Sequence, residues 1–147
     1  MEMPMVGEKK RHEFGDPQVQ RYLEGTDTVV LALVTPLGAP FAMPMYFAHD
    51  EQALAMVSVD GLAKLRHLER DPRVCVVAEG GERGAVNGLI LSGTVRFLDG
   101  RERAEWGERF AQRNAPAMER LWGEQELPAN RRVFCVQPSV RSAWGLE

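Results

Sequence analysis

At 147 residues, 44 % hydrophobic and 27 % charged, the chain has the size and balance of one soluble globular domain. Its net charge of −3 at pH 7 disfavours nucleic acid as a partner, since such binders carry a strongly basic balance. Basic residues gather only at Lys9–His12 and between Lys64 and Arg73, where Glu69 and Asp71 interrupt them.

The N-terminal stretch MEMPMVGEKKRHEF is polar, and residues 1–15 are expected to form a flexible segment ahead of a single domain spanning 16–147. It lacks the apolar core of a signal peptide, so a cytoplasmic location is expected. Asp16-Pro17 reads as the N-cap and first residue of a short helix that ends at Gly25. Thr28–Thr35 (TVVLALVT) is a near-continuous aliphatic strand, a pattern that predicts burial on both faces. The uncharged run from Thr28 to His49 is long enough to raise a membrane span. Pro36, Gly38, Pro40 and Pro44 exclude a spanning helix there.

Phe41–Ala48 is predicted as the next strand. Pro44 within it cannot donate to a ladder, which points to an edge, a bulge or an opening in the sheet. Met43 and Met45 flank it with adaptable side chains. Ala53–Val59 follows as an adjacent antiparallel strand. Asp60 then caps a helix whose leucines, Leu62, Leu65 and Leu68, make a buried stripe. Asp71-Pro72 ends that helix and RVCVVAE is the next strand. Glu79–Gly84 (EGGERG) reads as a loose turn, and Leu89–Leu98 as a strand with Gly93 at a bulge or barrel corner. Asp99 and Glu102 have capping-box spacing for a helix carrying Trp106 and Phe110. Ala117–Trp122 is a further helix, Arg132–Gln137 a last strand, and Pro138–Trp144 a tail. The sum is an α+β chain, mainly β, with six antiparallel strands in a small barrel decorated by helices.

The residues offer few catalytic constellations. There is no nucleophile elbow, phosphate loop or dinucleotide fingerprint. Cys75 and Cys135 lie in strand-like apolar runs, and His12, His49 and His67 form no cluster, so neither a zinc nor a heme site is expected from them. Hard chemistry would then fall to a cofactor. Ser58 ends a strand and Lys64 follows on the first turn of a helix, a combination suited to gripping a phosphate.

Five elements in this order, GAPFAMPMYF, ALAMVSV ending in Ser58, Lys64, LRHLERDPRV and LILSGTVRFL, together with the ending RRVFCVQPSVRSAWG, are similar to the pyridoxamine-phosphate oxidase-like superfamily of FMN-binding split β-barrels. The pattern covers Tyr22–Gly145. The resemblance implies a dimeric, six-stranded antiparallel split barrel with FMN at the interface of a homodimer. Met43, Pro44 and Met45 would run along the ring. Val57 and Ser58 would approach the ribityl phosphate, and Ala63 and Lys64 would form the phosphate motif. Trp144 from the partner copy would cover the ring.

The chain departs from the founding oxidases where it matters for phosphate. Phe41 and Tyr46 stand at strand positions that carry arginine and lysine there, and Ala63 stands where an arginine precedes the lysine. The C-terminal arginine–histidine substrate motif is absent, so oxidation of pyridoxamine phosphate itself is not expected. Three readings follow: an FMN-dependent oxidoreductase acting by hydride transfer on a small molecule, a deazaflavin-dependent reductase of the same fold, or a flavin-binding dimer without turnover.

Overall fold

A computed structural model describes residues 11–123 and 126–146. Eight strands and four helices follow one another in the described residues. They are α1 (Pro17–Glu24), β1 (Thr28–Val34), β2 (Pro40–Tyr46), β3 (Ala48–His49), β4 (Leu54–Val59), α2 (Ala63–Arg70), β5 (Arg73–Glu82), β6 (Ala85–Phe97), α3 (Gly100–Arg113), α4 (Ala115–Trp122), β7 (Arg131–Val136) and β8 (Ser139–Trp144). All strand pairings are antiparallel, in the order β2-β1-β5-β6-β7-β4-β3, with β8 added to β6. Of the segment expected to be flexible, residues 1–10 lie outside the described residues, and Phe14 is buried in the core.

The strand count exceeds the expected six for two physical reasons. The predicted strand Phe41–Ala48 is divided at Phe47: Thr28–Val34 pairs with Pro40–Tyr46, whereas Ala48 and His49 pair with Ala55 and Leu54. The two ends of the sheet thus meet in one stretch of chain, which is how it curls into a split barrel. It also corrects the expected pairing of β2 with β4, which is made by β3 alone. The second addition is the tail, whose Ser139–Trp144 forms β8 against Gly88–Ser92 of β6.

Two apolar clusters sandwich β4. Leu54 and Met56 face the barrel interior with Leu31, Phe47, Leu91 and Phe134. Ala55 and Val57 point the other way, against Phe110 and Met118 of the helices and Val133 of β7. β4 is therefore buried on both faces, as is β7 from Val133 to Val136. β1 instead alternates buried and half-buried positions, so its aliphatic continuity over-predicted its burial. Cys135 is buried in the second cluster and burial raises its thiol pKa; Cys75 is half-buried, and both are free thiols.

Several local expectations resolve differently. α1 starts at Pro17 after Asp16 and ends at Gly25 as read. α2 has Leu62 as its N-cap, with no side-chain cap, because Asp60 Oδ1 accepts from the Gly61 amide instead (3.0 Å). Leu62 is accordingly exposed, and only Leu65 and Leu68 form the buried stripe. Glu102 does not close a capping box on Asp99; Arg96 takes its carboxylate through two hydrogen bonds of 3.0 and 2.9 Å. The expected loose turn at Glu79–Gly84 is mostly strand, with the ladder running to Glu82↔Ala85 and Gly84 at φ 87° in the turn.

Gly93 does sit at a barrel corner, without a bulge of its own. β6 pairs with β8 up to Ser92 and with β7 from Val95, and the β7–β8 connection packs onto the glycine between. A Cβ there would lie 2.5 Å from Val136 Cγ2 and 3.2 Å from the Gln137 carbonyl oxygen. Val136 is buried and β-branched, so it has little room to yield. Gly93→Ala is expected to destabilise by about 1–3 kcal/mol through overpacking. Urea unfolding with an unchanged midpoint would show that the corner can relax.

Candidate functional site

β2, the β4–α2 connection and α4 enclose a cavity of about 260 Å³. Its barrel-side wall consists of Pro44, Met45, Val57 and Ser58, with Lys64 at the start of α2. Sequence reasoning singled out all five. Met45, Val57 and Ser58 are buried, whereas Pro44 is exposed on β2. Met43 is half-buried and packs against the barrel core, and Ala63 is exposed at the first turn of α2; neither lines the cavity.

Among the described residues Lys64 is the only cation of this lining. It is half-buried, and its Nζ lies 3.6 Å from Met45 Sδ. Among the described residues no carboxylate comes within ion-pair distance of it. Burial lowers its pKa from the usual lysine value. A desolvated ammonium that donates to a thioether, a weak acceptor, is poised to gain from an anion. The other cations of the basic cluster are engaged: Arg73 is paired with Asp71 at 2.6 Å, Arg66 donates to the Gly61 carbonyl and Arg70 to that of Pro36.

The opposite wall was missed from sequence. Phe110 of α3 and Ala117, Met118, Leu121 and Trp122 of α4 complete the cavity. Met118, Leu121 and Trp122 share one helical face by their spacing, but spacing does not say what a face covers. Leu121 is 59 % exposed, so it is not there to fill a core. Asn114, between the two helices, is buried; its Nδ2 donates to the carbonyls of Phe47 and Phe110, both at 3.0 Å. It thereby ties the helical wall to the residue at which the edge strand changes partner.

Trp144 lies elsewhere in its own chain. It is paired with Gly88 at the far end of β6 and its ring rests on that glycine, where a Cβ would come within 2.1 Å of Cζ2. In strand order β6, β5 and β1 separate β8 from β2. Within one copy of the chain Trp144 therefore does not reach the Lys64 cavity. No group of three or more metal-ligating side chains occurs among the described residues, and none of their helices is long and apolar enough to cross a membrane.

Comparison with known proteins agrees with this architecture. No curated protein matches the chain. Among solved structures, a conserved hypothetical protein, Rv2991, from Mycobacterium tuberculosis superposes with a TM-score of 0.69 at 19 % identity, over 92 % of this chain and 88 % of that one. An FAD-binding protein from Mesorhizobium loti gives 0.67 at 19 % identity, over 84 % and 88 %. HutZ, a heme storage protein from Vibrio cholerae, gives 0.66 at 18 % identity, over 92 % and 96 %. At such identities these likenesses establish the fold alone. A family model described as pyridoxamine 5'-phosphate oxidase matches residues 16–145, nearly the whole chain, and the protein therefore belongs to that family.

Proposed function

We propose that this protein is an FMN-binding oxidoreductase that works as a homodimer and acts by hydride transfer on a small molecule other than pyridoxamine phosphate. The observation that carries the reading is Lys64, a half-buried cation facing a cavity with no carboxylate partner among the described residues. A phosphate would supply the missing counter-charge, and buried Ser58 stands on the same wall to donate a hydroxyl.

The cavity, at about 260 Å³, falls below the usual range of roughly 300–1,000 Å³ for small-molecule sites, so it suits the ribityl-phosphate end and not the ring. The ring would lie along β2, exposed from Pro40 to Ala42 and again at Pro44, with a second copy of the chain as the opposite wall. Bound FMN would supply the hydride chemistry. The chain's part is to hold the phosphate at Lys64, orient the ring along β2 and keep water from its buried face through Met45 and Val57.

A deazaflavin with a long anionic tail would need an extended basic track. Arg66, Arg70 and Arg73 already hold partners, which favours FMN. The test is titration of cofactor-free protein with FMN, with a deazaflavin and with heme, followed by tryptophan fluorescence. Tight FMN binding supports the proposal and opens a substrate screen with NADH or NADPH. Preference for the deazaflavin moves the reaction to that carrier, and binding of heme alone, or of nothing, overturns it.

A further inference from the structure

Met45 Sδ and Lys64 Nζ stand 3.6 Å apart, and both residues line the same cavity. The flavin reading uses the lysine and gives the thioether only a water-excluding part. Met45 is 7 % exposed, yet Leu62 and Leu121 of the same lining are exposed, so the cavity communicates with solvent. At about 260 Å³ it admits polar molecules the size of water or hydrogen peroxide. Four methionines lie among the described residues. Met56 is buried in the barrel core, Met43 packs against that core, and Met118 lines the cavity on its helical side. Of the four, Met45 alone has a cation as a hydrogen-bond partner.

A thioether sulfur carries two lone pairs and accepts hydrogen bonds weakly, so the ammonium engages one pair and leaves the other free. Hydrogen peroxide can deliver an oxygen atom to that second pair. The O–O bond breaks, an S–O bond forms, and water leaves; sulfur is oxidised by two electrons and the side chain stays uncharged. The product is a sulfoxide, whose polar oxygen is a far better acceptor than the thioether. With Sδ and Nζ held at their present separation, that oxygen can stand about 2.8 Å from Nζ. The three rotatable bonds of methionine and the flexible lysine stem supply the turn that brings it there. No carboxylate among the described residues lies within ion-pair distance of Lys64, so the new oxygen meets no competing anion. The half-buried ammonium thereby gains a strong partner and is withdrawn from any phosphate.

We propose that Met45 is a peroxide-sensitive modification site whose sulfoxide binds the Lys64 ammonium and so shuts the cavity to an anionic ligand. Two thiols reverse it, giving back the thioether with release of water and a disulfide. The modification stands by itself; its effect on FMN rests on the reading of Lys64 as the phosphate anchor.

The test treats cofactor-free protein with dilute hydrogen peroxide, locates sulfoxide by peptide mass spectrometry, and follows the Lys64 side-chain nitrogen by NMR. Formation of Met45 sulfoxide is expected to shift the Lys64 resonance, and a methionine sulfoxide reductase with a dithiol to return it. FMN affinity is expected to fall about tenfold or more on oxidation and to recover on reduction. Met45→Leu, which nearly conserves volume, is expected to lose both responses to peroxide, whatever its starting affinity. Met45 left reduced while Met43 is oxidised, or Met45 sulfoxide with an unmoved Lys64 resonance, overturns the proposal. So does an equal peroxide effect in Met45→Leu. A shifted Lys64 resonance with unchanged FMN affinity supports the modification site and overturns the placing of the phosphate on Lys64.

Discussion

Lys64→Met is expected to weaken FMN binding by roughly ten- to a hundredfold while leaving the cofactor-free protein no less stable. The first half follows from the loss of a charge-assisted contact to phosphate, about 1.5–3 kcal/mol. The second follows from the cavity itself. Burial penalises the Lys64 cation, and its nearest partner is the Met45 thioether, so the free protein gains little from the charge. Replacing a desolvated cation with an apolar stem of similar length removes that penalty. Surface lysines behave differently: their removal changes neither ligand affinity nor stability by much. Titration with FMN and thermal unfolding of the free protein, measured side by side, separate the cases. A variant with unchanged FMN affinity would remove the phosphate assignment. A variant that binds normally but unfolds several degrees lower would make Lys64 a packing residue.

The parts of the fold legible in the sequence are those fixed by local chemistry. Pro17 and Gly25 bracket α1 because their backbone preferences act within a few residues, although the Asp16 carboxylate accepts from the Glu13 amide (2.9 Å) and makes no cap bond. Of the alternatives that Pro44 raised, the edge is the one found, β2 being the end strand of the sheet, since a missing donor has the same consequence in any fold. Ser58 and Lys64 could be placed together because six residues separate them. The errors arose where distant groups competed for the same partner. Asp99 and Glu102 have the right spacing for a capping box, but Arg96 offers Glu102 a full charge and wins. The helical wall of the cavity was out of reach because nothing in α4 records that β4, more than fifty residues earlier, is its partner. The break at Phe47 was invisible for a related reason. The run Phe41–Ala48 contains no charged or turn residue other than Pro44, so nothing in it marks where the strand's hydrogen-bonding partner changes from β1 to β4.

That break should be the most costly place to disturb. Phe47 is fully buried in the barrel core, between a strand that ends on β1 and one that begins on β4. The Arg113 guanidinium lies over its ring at 4.4 Å, and its carbonyl accepts from buried Asn114. Phe47→Ala is expected to cost about 3–5 kcal/mol from lost burial and the cavity it leaves. For a domain of this size that corresponds to a fall in Tm of roughly 6–20 °C. Asn114→Ala is expected to cost less, about 1–3 kcal/mol, by leaving the Phe47 carbonyl without its donor. It should reach further in function, because Asn114 lines the Lys64 cavity and joins α3 to α4. If Phe47 and Asn114 hold the strand change as one unit, the double variant should lose less than the sum of the singles, by at least about 0.5 kcal/mol. Urea unfolding of the four proteins measures this coupling. Strict additivity would mean that the helices merely rest on the barrel, and that the change of strand partner is held by the aromatic core alone.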